Sequence, residues 1–250
     1  MSIKFTIITA VYNREATIGQ AMRSVASQTY ENVEHLIVDG ASTDGTLAEV
    51  ERHKTTRTKV FSEPDKGIYD ALNKGIALAS GDVIGLVHSD DFFAHDGVLE
   101  QVAHAFEDST ASAVYGDLDY VSAEDETRII RHWRSGPYDR RKLAWGWMPP
   151  HPALFLRRPV FDRWGLYDTT YRIAADYDAI LRYFGRGNIH PVYIPQVLVK
   201  MRVGGESNRS LGRILRKSRE DYRALRSNDI GGLGALAWKN LSKITQFIKP

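Results

Sequence analysis

Apolar and polar positions along the first half of the chain switch repeatedly between a period of two and a period near 3.6. Residues 5–10 are a β-branched apolar run of strand length, and residues 17–28 place Ile18, Ala21, Met22 and Val25 at helical spacing. Residues 33–38 read as a second strand ending at Asp39, and residues 45–53 as a helix behind the capping cluster Ser42-Thr43-Asp44. Residues 59–62 are a short strand. Residues 68–79 form a helix with Ile68, Leu72, Ile76 and Ala79 on one face. A strand over 83–87, a helix over 97–107 and a strand over 113–115 continue the alternation. Strands alternating with helices predict an α/β fold, with a mostly parallel central sheet flanked by helices and right-handed crossovers.

The second half is less regular. Tyr120-Val121 and Ile129-Ile130 flank an acidic turn and predict a hairpin. An aromatic stretch containing Trp145 and Trp147 follows, then a strand over 153–156, a helix over 177–184 and a strand over 197–203. Gly204-Gly205-Glu206-Ser207 reads as a loop closing over a ligand or as a plain turn. Two amphipathic helices end the chain. The first gathers Leu211, Ile214, Leu215, Tyr222 and Leu225 opposite an arginine-rich face, and the second runs from Leu233 to Phe247.

Composition narrows the reading. The chain has 250 residues, 43% hydrophobic and 26% charged, which is ordinary for a globular protein. It holds no cysteine, so disulfides, thiolate zinc sites and thiol nucleophiles are excluded. No apolar run reaches the ~20 residues a spanning helix needs, and the N-terminus lacks signal-peptide anatomy, so a cytoplasmic protein is expected, at most peripheral at the inner face of the plasma membrane. The net charge of +2 hides an asymmetry: residues 209–250 carry ten Lys and Arg against three Asp and Glu, on a net-negative body. Such a basic tail packs back on the domain through its apolar stripes or meets an anionic membrane. Nucleic acid is not expected, because no aromatic RNA-reading motif accompanies the charge.

The sharpest chemical signal is Ile84-Gly85-Leu86-Val87-His88-Ser89-Asp90-Asp91, an apolar strand ending in two adjacent carboxylates. In open α/β sheets the C-terminal strand ends line the ligand crevice. Adjacent buried carboxylates repel one another unless a cation offsets them, so the pair reads as a metal-assisted site for a phosphorylated ligand or as a cap on the next helix. Strand one leads into Ala10-Val11-Tyr12-Asn13 and not into a glycine-rich dinucleotide turn, and no P-loop lysine motif is present. Polar residues instead follow successive strand ends: Tyr12, Asp39, Asp65 and Asp90-Asp91.

Taken together, Ile7-Ile8-Thr9-Ala10-Val11-Tyr12-Asn13, Val38-Asp39-Gly40-Ala41-Ser42-Thr43-Asp44-Gly45-Thr46, Gly67-Ile68-Tyr69-Asp70-Ala71-Leu72-Asn73-Lys74-Gly75 and Ser89-Asp90-Asp91 resemble family 2 glycosyltransferases of the GT-A fold. Phe155-Leu156-Arg157-Arg158-Pro159-Val160-Phe161 followed by Gly165-Leu166-Tyr167-Asp168 is similar to the acceptor side of the same family, most of all to bacterial enzymes of exopolysaccharide, capsule or O-antigen assembly. The resemblance implies an inverting, metal-dependent transfer from a nucleotide-sugar donor to the hydroxyl of a saccharide or polyprenyl-diphosphate-linked acceptor. It implies Mg²⁺ or Mn²⁺ on Asp91, ribose or sugar on Asp90, and a general base at Asp176, with Asp178 as runner-up. A helix N-cap is the alternative role for Asp176. Ala10, Tyr12, Asp39, Asp65, Lys66, Asn73 and Lys74 are the remaining donor-side candidates, and His151 and Trp147 the acceptor-side ones. Solvated helix face, loop or packing roles are the alternatives for Asn73, Lys74, Asp65, Lys66, His151 and Trp147.

Two departures stand out. The family's Glu-Asp pair is Ala175-Asp176 here, and its second aspartate after strand two, which reads uracil, is Gly40, leaving guanosine or thymidine donors open. Val160 stands where Gln would begin a Gln-x-x-Arg-Trp motif before Arg163-Trp164, so a non-processive enzyme is expected. The expected organisation is a catalytic domain over 1–208, with a nucleotide-sugar half over 1–117 and an acceptor half over 118–208, followed by the tail 209–250. A sugar nucleotidyltransferase would need a glycine-rich activation loop after strand one, and a non-catalytic sugar- or nucleotide-binding module would not need Asp90, Asp91 and Asp176 together.

Overall fold

The computed structural model describes residues 2–187, 189–203, 211–232 and 234–236. Among the described residues, nine strands form one mixed sheet. The first half alternates as its hydrophobic pattern implies: β1 (Phe5–Val11), α1 (Ile18–Ala26), β2 (Val33–Asp39), α2 (Thr46–His53), β3 (Thr58–Ser62), α3 (Ile68–Leu78) and β4 (Val83–Leu86). These four strands lie parallel in the order β3-β2-β1-β4. Every residue of β1 is buried, because helices cover both faces of the sheet. Ile8, Leu36 and Val38 share one apolar cluster with Leu72 and Ile76 of α3, while Phe5 and Ile7 share another with Ala21 and Val25 of α1.

The second half completes the sheet by a less direct route. It comprises β5 (Asp91–Phe93), α4 (Val98–Ala105), β6 (Ala113–Val121), β7 (Ile129–Trp133), α5 (Arg140–Leu143), β8 (Leu154–Arg157), α6 (Arg158–Trp164), α7 (Ala175–Ile180), β9 (Pro191–Arg202) and α8 (Leu211–Ser227). Strand β8 inserts antiparallel between β4 and β6, with Ile84 opposite Leu156 and Val114 opposite Phe155. Strand β9 runs parallel to β6, while β5 pairs antiparallel with β9 and β7 antiparallel with β6, which forms the expected hairpin. The sheet is therefore parallel on the β3 side and mixed beyond β4.

Several elements differ in extent from the sequence expectation. β6 is one continuous strand where two short ones were expected, because Asp117 and Asp119 lie buried and satisfied within it. Asp117 accepts from the Ser135 N–H and the Tyr193 hydroxyl, and Asp119 pairs with His132 at 2.6 Å. β9 begins at Pro191, earlier than expected. α7 starts at Ala175 and continues as a π-helical segment over Leu181–Arg186. The loop 204–207 and most of the second tail helix lie outside the described residues. The first tail helix is present as α8, and its buried face differs from the expected stripe: Ala224 and Leu225 are buried whereas Leu215 is 67% exposed.

β8 can insert because β4 carries Gly85. A Cβ at that position would stand 2.5 Å from the ring of Phe155, which packs edge-on to Phe5 and stacked on Phe93. The glycine marks a close approach of side chain to backbone inside a strand. Gly85→Ala is expected to force this ring aside and lower unfolding free energy by about 1–3 kcal/mol, the usual cost of overpacking. Urea denaturation measures it, and an unchanged midpoint would show that Phe155 has room to move.

Candidate active site

The strand order dictates what can meet at the sheet edge. The C-terminal ends of β3, β2, β1 and β4 lie side by side, presenting Asp65, Asp39, Tyr12 and His88-Ser89-Asp90-Asp91 in that spatial sequence. Because β8 is antiparallel to β4, the turn that precedes it, His151–Ala153, falls at this same edge. That places His151 against His88, with their Nε2 atoms 2.8 Å apart.

On the donor side, Asp39 is fully buried at the end of β2, and its carboxylate is held by the Ser42 N–H and by the Ser42 and Ser62 hydroxyls. This ties the ends of β2 and β3 together. Ala10 is buried in β1, and Tyr12, just beyond that strand, is 56% exposed. The Asp65 carboxylate accepts the Gly67 N–H through Oδ1 at 2.7 Å, while Oδ2 lies over Gly40. A Cβ at residue 40 would come 2.3 Å from that oxygen and 3.5 Å from the Tyr12 ring. Gly40 thus leaves its space to the Asp65 carboxylate beside an exposed aromatic. Lys66 is exposed, and its N–H is held by Asp70.

Two donor-side candidates have structural engagements. Asn73 bridges the backbone of Tyr167, donating to its carbonyl and accepting its N–H. Lys74 lies 2.8 Å from Glu63 and also donates to the Pro64 carbonyl.

Asp90 and Asp91 do not cap α4, whose N-cap residue is Gly97. Asp91 opens β5, 2% exposed, and burial followed by the neighbouring Asp90 charge pushes its carboxyl well above the usual range, against the opposing pull of Arg202. The Arg202 guanidinium donates to the Asp90 backbone carbonyl at 2.7 Å and sits over the Phe92 ring, so the end of β9 holds the backbone that carries the two carboxylates. Tyr120 of β6 is raised by burial, and among the weaker influences on it are the charges of both Asp91 and Asp176.

Asp176 comes from the other half of the chain. It lies inside the first turn of α7, and the N-cap residue is Ala174, so Asp176 is not the cap. Its Oδ2 stands 3.1 Å from His151 Nδ1, and its Oδ1 lies 3.2 Å from the Tyr69 hydroxyl, which donates to the Ile173 carbonyl at 2.6 Å. Asp178, two residues on, points elsewhere: it pairs with Arg182 at 3.1 Å and accepts from Asn228 of the tail. Trp147 is packed among Tyr115, Tyr138 and Phe184 with its indole N–H on the Ser135 carbonyl, whereas Trp145 is 58% exposed.

Four contributors were not singled out from the sequence: His88, Tyr69, Arg202 and Glu220. His88 sat in the flagged segment, and a histidine at a buried strand end beside two carboxylates was the available signal. Glu220 and its neighbour Asp221 are the two acids of an otherwise basic helix. The Glu220 carboxylate accepts the backbone N–H groups of Arg172, Ile173 and Ala174, at 2.8 Å from Ile173. A carboxylate here satisfies backbone donors leading into α7 and complements the positive end of the helix. The first tail helix is thereby joined to the segment that carries Asp176.

The family model described as "Glycosyl transferase family 2" matches residues 6–165. A "PGL/p-HBAD biosynthesis glycosyltransferase" of Mycobacterium bovis (strain BCG / Pasteur 1173P2) is 32% identical over 210 residues, covering 82% of this chain and 79% of that protein. Among solved structures, the mannosyltransferase PcManGT from Pyrobaculum calidifontis in complex with GDP-Man and Mn²⁺ matches with a TM-score of 0.69 at 20% identity, over 99% of this chain and 73% of that one. TarS 1–349 of S. aureus in complex with UDP-GlcNAc matches with a TM-score of 0.65 at 18% identity, over 90% of this chain and 65% of that one. The chain spans 39% of a longer TarS chain. These structural likenesses show a common fold.

Glu220→Ala is expected to leave three backbone N–H groups short of their acceptor and to destabilise the protein by about 1–3 kcal/mol. Glu220→Gln, which keeps one acceptor oxygen, should lose less. Denaturant midpoints measure both, and equal midpoints for wild type and Glu220→Ala would contradict the tie.

Proposed function

The chain belongs to glycosyl transferase family 2 and is a glycosyltransferase, and on that premise we propose an inverting, metal-dependent and non-processive transfer from a nucleoside-diphosphate sugar to an acceptor hydroxyl. The observation that carries the reading is that carboxylates distant in sequence gather at one edge of the sheet: Asp91 follows the end of β4, and Asp176 on α7 is tied through His151 to His88 at that same strand end. A single displacement with inversion needs charge stabilisation on the leaving side and a base on the opposite side.

The residues fit a divalent cation. Asp91 is a buried carboxylate whose ionised form burial disfavours, and hard carboxylate oxygens suit Mg²⁺ or Mn²⁺. Such an ion needs only one or two protein carboxylates when diphosphate oxygens complete its shell. Asp91 would hold it, with Asp90 turned to the ribose or sugar. Bound there, the metal would offset the charge developing on the departing nucleoside diphosphate. A solved neighbour in complex with GDP-Man and Mn²⁺ supports this reading.

Asp176 takes the acceptor hydroxyl proton. The transfer forms the new glycosidic bond and releases the nucleoside diphosphate. Tyr12 stacks on the base, and Asp65 Oδ2 accepts an N–H from its edge. That oxygen suits uracil, thymine or guanine, each of which offers a ring N–H donor, whereas adenine can meet it only through its exocyclic amino group. The buried Asp39 shapes this pocket through Ser42 and Ser62.

The acceptor is a saccharide or polyprenyl-diphosphate-linked glycan, met at an anionic membrane. A relative named for PGL/p-HBAD biosynthesis supports a biosynthetic role. Arg216, Arg219 and Arg226 of α8 are exposed beside the exposed Leu215, a combination that favours anionic lipid. No described helix is long and apolar enough to cross a membrane.

Nucleoside diphosphate release from UDP-, GDP- and dTDP-sugars, with Mn²⁺ present or chelated, tests the core of the proposal. Asp176→Asn should lower turnover by about 10²–10⁴-fold, the usual worth of a general base, while donor binding by thermal shift persists. Asp91→Ala should abolish the Mn²⁺-dependent part. Full activity in Asp176→Asn would move the base elsewhere, and unchanged rates under chelation would remove the metal role. For the membrane contact, Arg216→Glu with Arg219→Glu should weaken sedimentation with phosphatidylglycerol vesicles, each lost arginine being worth about 1 kcal/mol and each new carboxylate adding repulsion. Unchanged sedimentation would leave α8 a purely packed helix.

A further inference from the structure

His88, His151 and Asp176 form a continuous chain of polar contacts across the seam between the two halves of the fold. Asp176 Oδ2 lies 3.1 Å from His151 Nδ1, and His151 Nε2 lies 2.8 Å from His88 Nε2. The three residues come from three elements: α7, the turn before β8, and the end of β4 that runs on into Asp90 and Asp91. We infer that His151 is a positioning residue for the transfer, its Nδ1–H fixing the carboxylate of Asp176 and its Nε2 accepting a proton held by His88.

Proton counting selects this arrangement. A neutral imidazole carries one ring proton, and the tautomer follows from the hydrogen bonds its nitrogens make. A carboxylate facing Nδ1 needs the proton there, which leaves His151 Nε2 as an acceptor. His88 must then donate from Nε2 and keep Nδ1 bare. Among the described residues, His88 Nδ1 is indeed buried without a hydrogen-bond partner. The opposite arrangement would bury an N–H with no acceptor at that atom and set two lone pairs, Asp176 Oδ2 and His151 Nδ1, against each other. Burial, reinforced by the neighbouring His151 and opposed by Asp176, pushes the His88 pKa down to about 3, in keeping with a neutral donor.

The chain serves the reaction by fixing Oδ2 of Asp176, which leaves Oδ1, 3.2 Å from the Tyr69 hydroxyl, as the oxygen that takes the acceptor proton. His88 in turn registers that carboxylate against the strand end that carries the donor-side pair. The assignment rests on the reading of Asp176 as the base.

Two amides separate the proposed contact from general packing. His151→Asn sets an amide nitrogen near the position of Nδ1, and His151→Gln sets one near Nε2. Nucleoside diphosphate release from UDP-, GDP- and dTDP-sugars with Mn²⁺ should fall within fivefold of wild type in His151→Asn. It should fall at least thirtyfold in kcat in His151→Gln, with donor KM and melting temperature held. In an Asp176→Asn background, His151→Gln should cost no further activity, because the residue acts through that carboxylate. Wild-type kcat in His151→Gln, or full additivity of the two losses, would overturn the inference while leaving Asp176 as the base. Retained activity in Asp176→Asn alone would instead overturn the base assignment. Should His151→Gln fail to fold, His151→Ala, which removes the Nδ1–H and is expected to lose at least as much kcat, supplies the same test of additivity, alone and in the Asp176→Asn background.

Discussion

The insertion of one antiparallel strand, β8, between β4 and β6 is the constraint on which the site depends. A parallel neighbour would have carried the turn that precedes it to the opposite edge of the sheet. The antiparallel direction brings His151 to the C-terminal end of β4, within hydrogen-bond distance of His88. Gly85 makes the insertion sterically possible by yielding its side-chain volume to Phe155. Geometry at the active site is therefore set by packing some distance below it.

Electrostatics then sorts the carboxylates into different states. Asp39 is buried but supplied with three donors from Ser42 and Ser62, so it acts as a fastener. Asp178 is neutralised by Arg182 and bound by Asn228. Asp91 is buried beside a like charge, with Arg202 as partial compensation, and this is the carboxylate that a cation would stabilise most. Asp176 meets a histidine and lies within reach of a tyrosine. The same side-chain chemistry thus gives two fasteners, a metal candidate and a base candidate, according to what surrounds each. The tail contributes to this sorting through Glu220 on α8 and Asn228 just beyond it, in a segment whose net charge suggests a basic surface.

Much of the parallel half is legible in sequence, because strands buried on both faces read as unbroken apolar runs and their helices keep a single apolar stripe. The mixed half is harder to read. Asp117 and Asp119 break the apolar run of β6, and only their partners from β7, β9 and the segment after β7 explain why the strand continues. β5 is three residues long and begins on an aspartate. Strand order and direction leave no mark on local periodicity, so the meeting of His88 with His151 could not be anticipated, although both residues stood in flagged segments. Asp176 and Asp178 were hard to separate in sequence because two residues on a helix differ by about 200° in direction, and only the packing of α8 says which side faces the site. Glu220 was hidden for the same reason: its partners are backbone groups some fifty residues earlier.

The central claim is that the strand end carrying Asp91 and the helix carrying Asp176 face one another across a single nucleotide-sugar site. A crystal structure of the protein with Mn²⁺ and a nucleoside diphosphate, using the manganese anomalous signal, tests it most directly. The account expects the manganese peak at Asp91, the diphosphate against it, the base between Tyr12 and Asp65, and Asp176 still bonded to His151 on the open side of the β-phosphate. A nucleotide seated away from the β1–β4 edge, or a manganese peak remote from Asp91, would contradict it.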